Sequence, residues 1–153
     1  MKVKPLIISV GIALGVGTLA GFLSRGSSMM YESVTRPPLS PPAIVFPIVW
    51  SILYVLMGIS ACLIWETEHG SARTRALSVY GVQLAVNFVW PLLFFNAQLY
   101  WFSFAWLLVL WVLVLWMIIE FVRIRPVAGW LQIPYLVWLT FAAYLNLGVA
   151  LLN

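Results

Sequence analysis

Charged residues fall in four clusters along the chain: Lys2 and Lys4; Arg25, Glu32 and Arg36; Glu66 to Arg75; Glu120 to Arg125. Between them run the uncharged stretches 5–24, 37–65, 76–119 and 126–153. A helix needs about 20 apolar residues to cross a bilayer. The first stretch holds one such helix, and the second holds one after its proline-rich start. Residues 76–119 are too many for one helix and suit two, joined by a turn at Asn96, Ala97 and Gln98 after the helix-breaking Pro91. The last stretch holds a fifth. The pattern predicts helices near 5–24, 43–66, 74–95, 99–122 and 127–151. None of the stretches alternates apolar and polar with period two, as barrel strands do.

Composition agrees with this reading. Hydrophobic residues make up 64% of the 153 positions and charged residues 8%, where an ordinary soluble protein has about a quarter charged. The chain therefore reads as one all-α membrane domain, residues 1–153, built as a five-helix transmembrane bundle with a long proline-rich loop between helices 1 and 2. The eight Lys and Arg are scattered, which leaves no footprint for nucleic acid. One cysteine, Cys62, and one histidine, His69, exclude a disulfide within the chain and metal sites built from several cysteines or histidines. Glu66 and Glu120 fall at helix ends and read as interfacial charges. No nucleophile–base or paired-carboxylate constellation lies within the spans. With five spans, the side bearing the N-terminus carries six Lys/Arg and the other side two. The positive-inside rule then puts the N-terminus in the cytoplasm.

Polar residues inside spans cost free energy and mark either function or helix-to-helix contact. In the second helix Trp50, Tyr54 and Met57 share one face; in the third, Gln83, Asn87 and Trp90 do; in the fifth, Tyr135, Trp138, Ala142 and Leu145 do, with Asn146 nearby. Counting about 1.5 Å per residue puts Trp50, Asn87 and Trp90 roughly 10 Å below one surface and Trp138 somewhat deeper. Both a ligand pocket and ordinary packing fit this convergence. The 25–42 loop, RGSSMMYESVTRPPLSPP, is stiffened by Pro37, Pro38, Pro41 and Pro42 and holds little to make it helical. It reads as a lid over such a pocket, with Arg25 and Arg36 at the mouth, or as a rigid connector. In the first helix Ser9, Ala13, Gly17 and Gly21 recur every fourth residue, with Gly11 and Gly15 as a second pair. Such spacing lets helices approach closely, within the chain or between two copies. Trp101, Trp106, Trp111 and Trp116 recur every five residues, which holds no single face, and read as packing or lipid-facing residues.

Three segments together, YESVTRPPLSPPAIVFPIVWSILYVLMG (31–58), GVQLAVNFVWPLLFF (81–95) and IPYLVWLTFAAYLN (133–146), resemble the TspO/MBR family. These are the tryptophan-rich sensory proteins related to the mitochondrial translocator protein, or peripheral-type benzodiazepine receptor. The likeness runs over residues 5–150. It implies a five-helix bundle in a bacterial cell membrane, commonly a homodimer. It also implies a pocket for porphyrins such as protoporphyrin IX and for drug-like hydrophobic ligands, with no cofactor required. Carried over residue by residue, the ligand-binding set is Tyr31, Pro41, Trp50, Tyr54, Asn87, Trp90, Trp138 and Ala142. Trp50 and Trp138 match the pair associated with porphyrin photochemistry. The implied activity is tetrapyrrole or stress sensing or scavenging. Light- and oxygen-dependent porphyrin degradation and porphyrin or sterol transport are the alternatives. The chain departs from the family at Met30, where a tryptophan usually precedes the tyrosine, and at Leu92, where a second proline usually stands. It also lacks any Lys or Arg after Arg125, and with it the cholesterol-recognition pattern of animal members.

Overall fold

The computed structural model describes residues 2–67 and 69–153. Its helices are α1 (Val3–Leu23), α2 (Ser27–Ser33), α3 (Val45–Thr67), α4 (Ser71–Pro91), α5 (Tyr100–Ile124), α6 (Pro126–Trp130) and α7 (Ile133–Leu152). No strand occurs among the described residues. Five segments are long and apolar enough to span a membrane: α1, α3, α4 with its extension to Asn96, α5, and α6 with α7. The protein is an all-α, multi-pass integral membrane protein. In lipid the backbone must satisfy its own polar groups, and helices do so within each segment.

The predicted spans agree with the observed ones to within a few residues, and the exceptions have local causes. After Pro91 the helix widens into one π-helical turn, Leu92–Asn96. Pro91 supplies no N–H to the preceding turn, and the winding resumes with Ala97 donating to the Leu92 carbonyl five residues back. Gln98 then takes a left-handed conformation and starts α5 in the opposite direction. The last span is broken, not continuous over 127–151. Pro126 opens α6 and Pro134 opens α7, each where a missing N–H does no harm. Between them Gly129 lies against Val122 and the Ile118 carbonyl, so close that a Cβ would collide with them.

The 25–42 loop also departs from expectation. Ser27–Ser33 is helical, because the prolines begin only at 37 and the segment before them is free to coil. Gly26, at φ 92°, makes the left-handed turn that starts α2. Met30 and Tyr31 give α2 a buried face. The prolines act from Pro37 to Pro42, where Leu39 is held at φ 69°.

Packing follows the stripes. Leu107, Leu110, Val114, Met117 and Phe121 of α5 recur at alternating three- and four-residue steps, and all are buried. α1 crosses α3 through small residues: the Ser9 hydroxyl donates to the Gly58 carbonyl (2.7 Å), Val10 lies on Gly58, and Gly17 lies on the Tyr54 ring. With the fully buried Ala13, three members of the four-residue stripe thus pack within the chain. Gly21 meets nothing within contact distance, and neither do Gly11 and Gly15, which lie on exposed positions. Three of the periodic tryptophans anchor their indole N–H: Trp106 to the Val86 carbonyl, Trp111 to Thr140 and Trp116 to Glu120.

Glu120 lies near its helix end as expected, but as a paired group and not a free surface charge. Its side chain is 8% exposed and accepts from Arg75 at 3.0 Å and Trp116 at 3.3 Å, with Arg123 at 3.7 Å. The three donors compensate a carboxylate held against the end of the bundle. Glu66 stays at its helix end and accepts from the backbone N–H of Lys2 at 2.8 Å, which ties the start of α1 to the end of α3.

Candidate ligand-binding site

A cavity of about 610 Å³ opens between α1, α2, α3 and α4 at the lid end of the bundle. Its walls follow from the small residues of α1. With glycine or alanine at 17, 20 and 21, that helix presents little side-chain bulk, so the aromatic face of α3 opposite it is left uncovered. Trp50 and Tyr54 form that face, 5.7 Å apart between ring centroids, and Trp50 also meets Tyr135 of α7 edge-on at 6.1 Å. Asn87 and Trp90 of α4 make the third wall, and Tyr31 with Ser27 and Ser28 of α2 makes the roof.

A chain of buried hydrogen bonds forms the floor. The Tyr54 hydroxyl donates to Asn87 Oδ1 (3.0 Å), Asn87 Nδ2 donates to the Tyr135 hydroxyl (2.6 Å), and Tyr135 donates to Gln83 Oε1 (2.7 Å). Trp90 is fixed by two contacts. Its indole N–H donates to Asn146 Oδ1 at 3.0 Å, and its ring stacks on Phe94 at 5.2 Å. Asn146 in turn accepts from Ser103 and donates to the Tyr100 carbonyl, so α4, α5 and α7 share one polar hub. The polar atoms that join these bonds are paired as buried groups require, whereas the indole N–H of Trp138 nearby is buried without a partner.

The roof is secured by the chain around it. Tyr31 donates to the Pro41 carbonyl (2.5 Å), meets Phe46 edge-on at 4.9 Å and carries the Arg36 guanidinium over its ring at 4.6 Å. Pro37 lies on Gly148 of α7, the Tyr144 hydroxyl donates to the Pro38 carbonyl (2.5 Å), and the Asn153 amide makes two bonds to the Thr35 backbone. Arg25 is exposed at the end of α1, over the Phe22 ring.

Of the residues singled out from the sequence, Tyr31, Trp50, Tyr54, Asn87 and Trp90 meet at this cavity. Three do not line it. Pro41 receives the Tyr31 hydroxyl and so positions the roof. Ala142 borders a separate small void of about 20 Å³ beside Tyr31, Trp90 and Asn146. Trp138 stands behind Phe46, whose ring meets it edge-on at 5.8 Å. The fourth wall is therefore α1, where α7 was expected. Phe46 and the α1 wall stand outside the set expected from the sequence. Phe46 lies one helical turn before Trp50 and extends the same stripe. The spacing of the α1 glycines marks helix packing, and the same absence of side chains also makes room. Cys62 is buried and His69 exposed, and no group of metal-ligating residues occurs among the described residues.

A helical membrane protein with a small-molecule-sized cavity of aromatic walls and a few convergent polar groups is the class these features define. Comparison with known proteins narrows it. Residues 9–152 match the TspO/MBR family. The chain is 36% identical to a translocator protein of Ovis aries over 93% of this chain and 88% of that one. It is 36% identical to a tryptophan-rich sensory protein of Cereibacter sphaeroides over 97% and 91%, and 31% identical to the Homo sapiens translocator protein over 93% and 88%. The chain belongs to the TspO/MBR family.

Proposed function

We propose that the protein binds porphyrins such as protoporphyrin IX, and flat hydrophobic molecules of similar size, in the cavity beneath α2, as a sensor or scavenger of tetrapyrroles. The observation that carries this is the 610 Å³ cavity walled by Trp50, Tyr54, Asn87 and Trp90 under Tyr31. Small-molecule sites enclose about 300–1,000 Å³. Indole and phenol faces suit a flat ring, and Arg25 and Arg36 on the lid side suit its carboxylates. The N-terminus lies in the cytoplasm by the charge count, which turns the lid outward. Titration of the purified protein with protoporphyrin IX in the dark tests the reading. Saturable tryptophan quenching that weakens in Trp90→Ala supports it. Quenching that only tracks partitioning into empty micelles rejects it.

The position of Trp50 favours a second activity at the same site. A photoexcited porphyrin takes one electron from the Trp50 indole, leaving an indole radical cation and a porphyrin radical anion. Dioxygen, the oxidant, adds to the ring, and its O–O bond breaks as the macrocycle opens. The indole recovers its electron, so the balance is one porphyrin and one O₂ to one opened ring. Because Phe46 separates Trp138 from the cavity, Trp50→Phe should remove most of the light-driven loss of porphyrin absorbance and Trp138→Phe little. Equal photobleaching in Trp50→Phe and the unaltered protein rejects the electron transfer.

A further inference from the structure

Contacts bound the cavity on several sides. Above it, Tyr31 ties α2 to the Pro41 carbonyl, and Tyr144 and Asn153 hold Pro38 and Thr35 in the segment that follows α2. Below, the Tyr54 ring rests on Gly17 and bonds to Asn87. Between α1 and α4 the Asn96 amide donates to the Leu23 carbonyl at 2.8 Å, which joins the two helix ends. Toward α7 the rings of Phe46, Trp138 and Tyr135 fill the gap. Between α1 and α3 the tight contact runs only from Ser9 to Gly17 on one helix and from Gly58 to Tyr54 on the other.

Beyond Tyr54 these two helices face each other across the cavity itself. Thr18 and Gly21 on α1, and Pro47 and Ser51 on α3 with Ile44 just before it, line the void and are also exposed. Flanking them, Leu19, Phe22 and Ile48 turn apolar side chains outward. Both helices are membrane spans. Ser51 lies six residues into α3 and Thr18 five residues from the end of α1, so the opening begins at the lid-side surface and reaches about 10 Å into the bilayer.

We infer that ligands enter the cavity sideways from the lipid, through a portal between the lid-side halves of α1 and α3. This rests on the reading of the cavity as a ligand site and names how its ligand arrives and of what kind it is. The portal spans the headgroup zone and the first acyl carbons, and apolar side chains flank it. Arg25 and the hydroxyls of Ser24, Ser27 and Ser28 stand at its upper edge. An amphiphile with a flat apolar body and an anionic edge occupies that depth of a membrane by itself and needs only to move laterally. The absence of side chains at Gly17 and Gly21 sets the width of the passage.

Two tethers in a Cys62→Ala background test this, with the protein in nanodiscs and protoporphyrin IX followed by stopped-flow tryptophan quenching in the dark. Thr18→Cys with Ser51→Cys, joined by a short bis-maleimide, bridges the portal. Thr35→Cys with Asn153→Cys, joined as a disulfide, locks the roof where the Asn153 amide now holds it. The portal bridge should slow association when made before loading, and slow release when made after, by about tenfold or more, as a blocked gate does. The locked roof should change either rate by less than about threefold. Unchanged rates in the bridged protein, or a locked roof that slows entry as much as the bridge, overturn the portal. Saturable quenching in the untethered protein, measured alongside, keeps the cavity reading intact in those cases. Its absence overturns that reading and the portal with it.

Discussion

Gly58→Ala puts a single methyl group where α1 and α3 touch, and the outcome can be worked from the contact. A Cβ at Gly58 would collide with the backbone N and Cα of Val10, and with its side chain. No rotamer change moves backbone atoms, so α1 must lift away from α3 as a unit. Overpacking of this kind costs about 1–3 kcal/mol. The lift also stretches the Ser9 hydroxyl bond to the Gly58 carbonyl, and a bond between helices in a membrane contributes about 0.6 kcal/mol. Replacing a helical glycine by alanine returns about 1 kcal/mol in helix propensity.

The net loss is about 1–2 kcal/mol, roughly a factor of ten in the folding equilibrium. Gly81→Ala is the matched control, since its Cβ would meet nothing within contact distance. It should gain the propensity term alone, so the two alanine variants should differ by about 2–3 kcal/mol. Titration of detergent-solubilised protein with SDS, followed by far-UV circular dichroism, measures the gap. Equal midpoints for Gly58→Ala and Gly81→Ala would refute the claim that this crossing holds α1 in place.

Three further outcomes follow. Asn87→Leu removes the acceptor of Tyr54 and a donor to Tyr135, and an orphaned buried hydroxyl costs about 1–3 kcal/mol; the same SDS titration should show a loss of that size, largely absent when Tyr54→Phe is added. Tyr144→Phe with Asn153→Ala unties the roof from α7, so amide hydrogen exchange over 34–36 should quicken while exchange in α5 stays unchanged. Arg75→Gln leaves the Glu120 carboxylate with only Arg123 and Trp116. Its destabilisation should shrink when Glu120→Gln is added, and additive losses in the pair would deny the coupling.

The five spans were legible because lipid imposes one simple rule, and the charge clusters obey it. The convergence of Trp50, Tyr54, Asn87 and Trp90 was legible for a related reason: helical periodicity and depth are arithmetic once the spans are known. What escaped depends on contacts between segments. Residues 27–33 coil because Met30 and Tyr31 find a buried surface, which no local propensity announces. The break between α6 and α7 needs two prolines and the close seat of Gly129 against α5. Glu120 could be buried because Arg75 comes from another helix to meet it. The exclusion of Trp138 from the cavity turns on Phe46, a residue of ordinary appearance in an apolar run.

The hydrogen bonds beneath the cavity all point the same way. Tyr54 gives its proton to Asn87, Asn87 gives one to Tyr135, and Tyr135 gives its own to Gln83. Aligned head to tail, these dipoles reinforce one another, and the phenol that begins the series, its proton committed to Asn87, has only lone pairs left to offer. The polarity of the vessel is therefore vertical: electron-rich at its base and cationic near its brim. Under the proposed function, a guest that offers N–H groups from its centre and negative charge from its margin would be matched at both levels, whereas one carrying its anion downward would be opposed by the base.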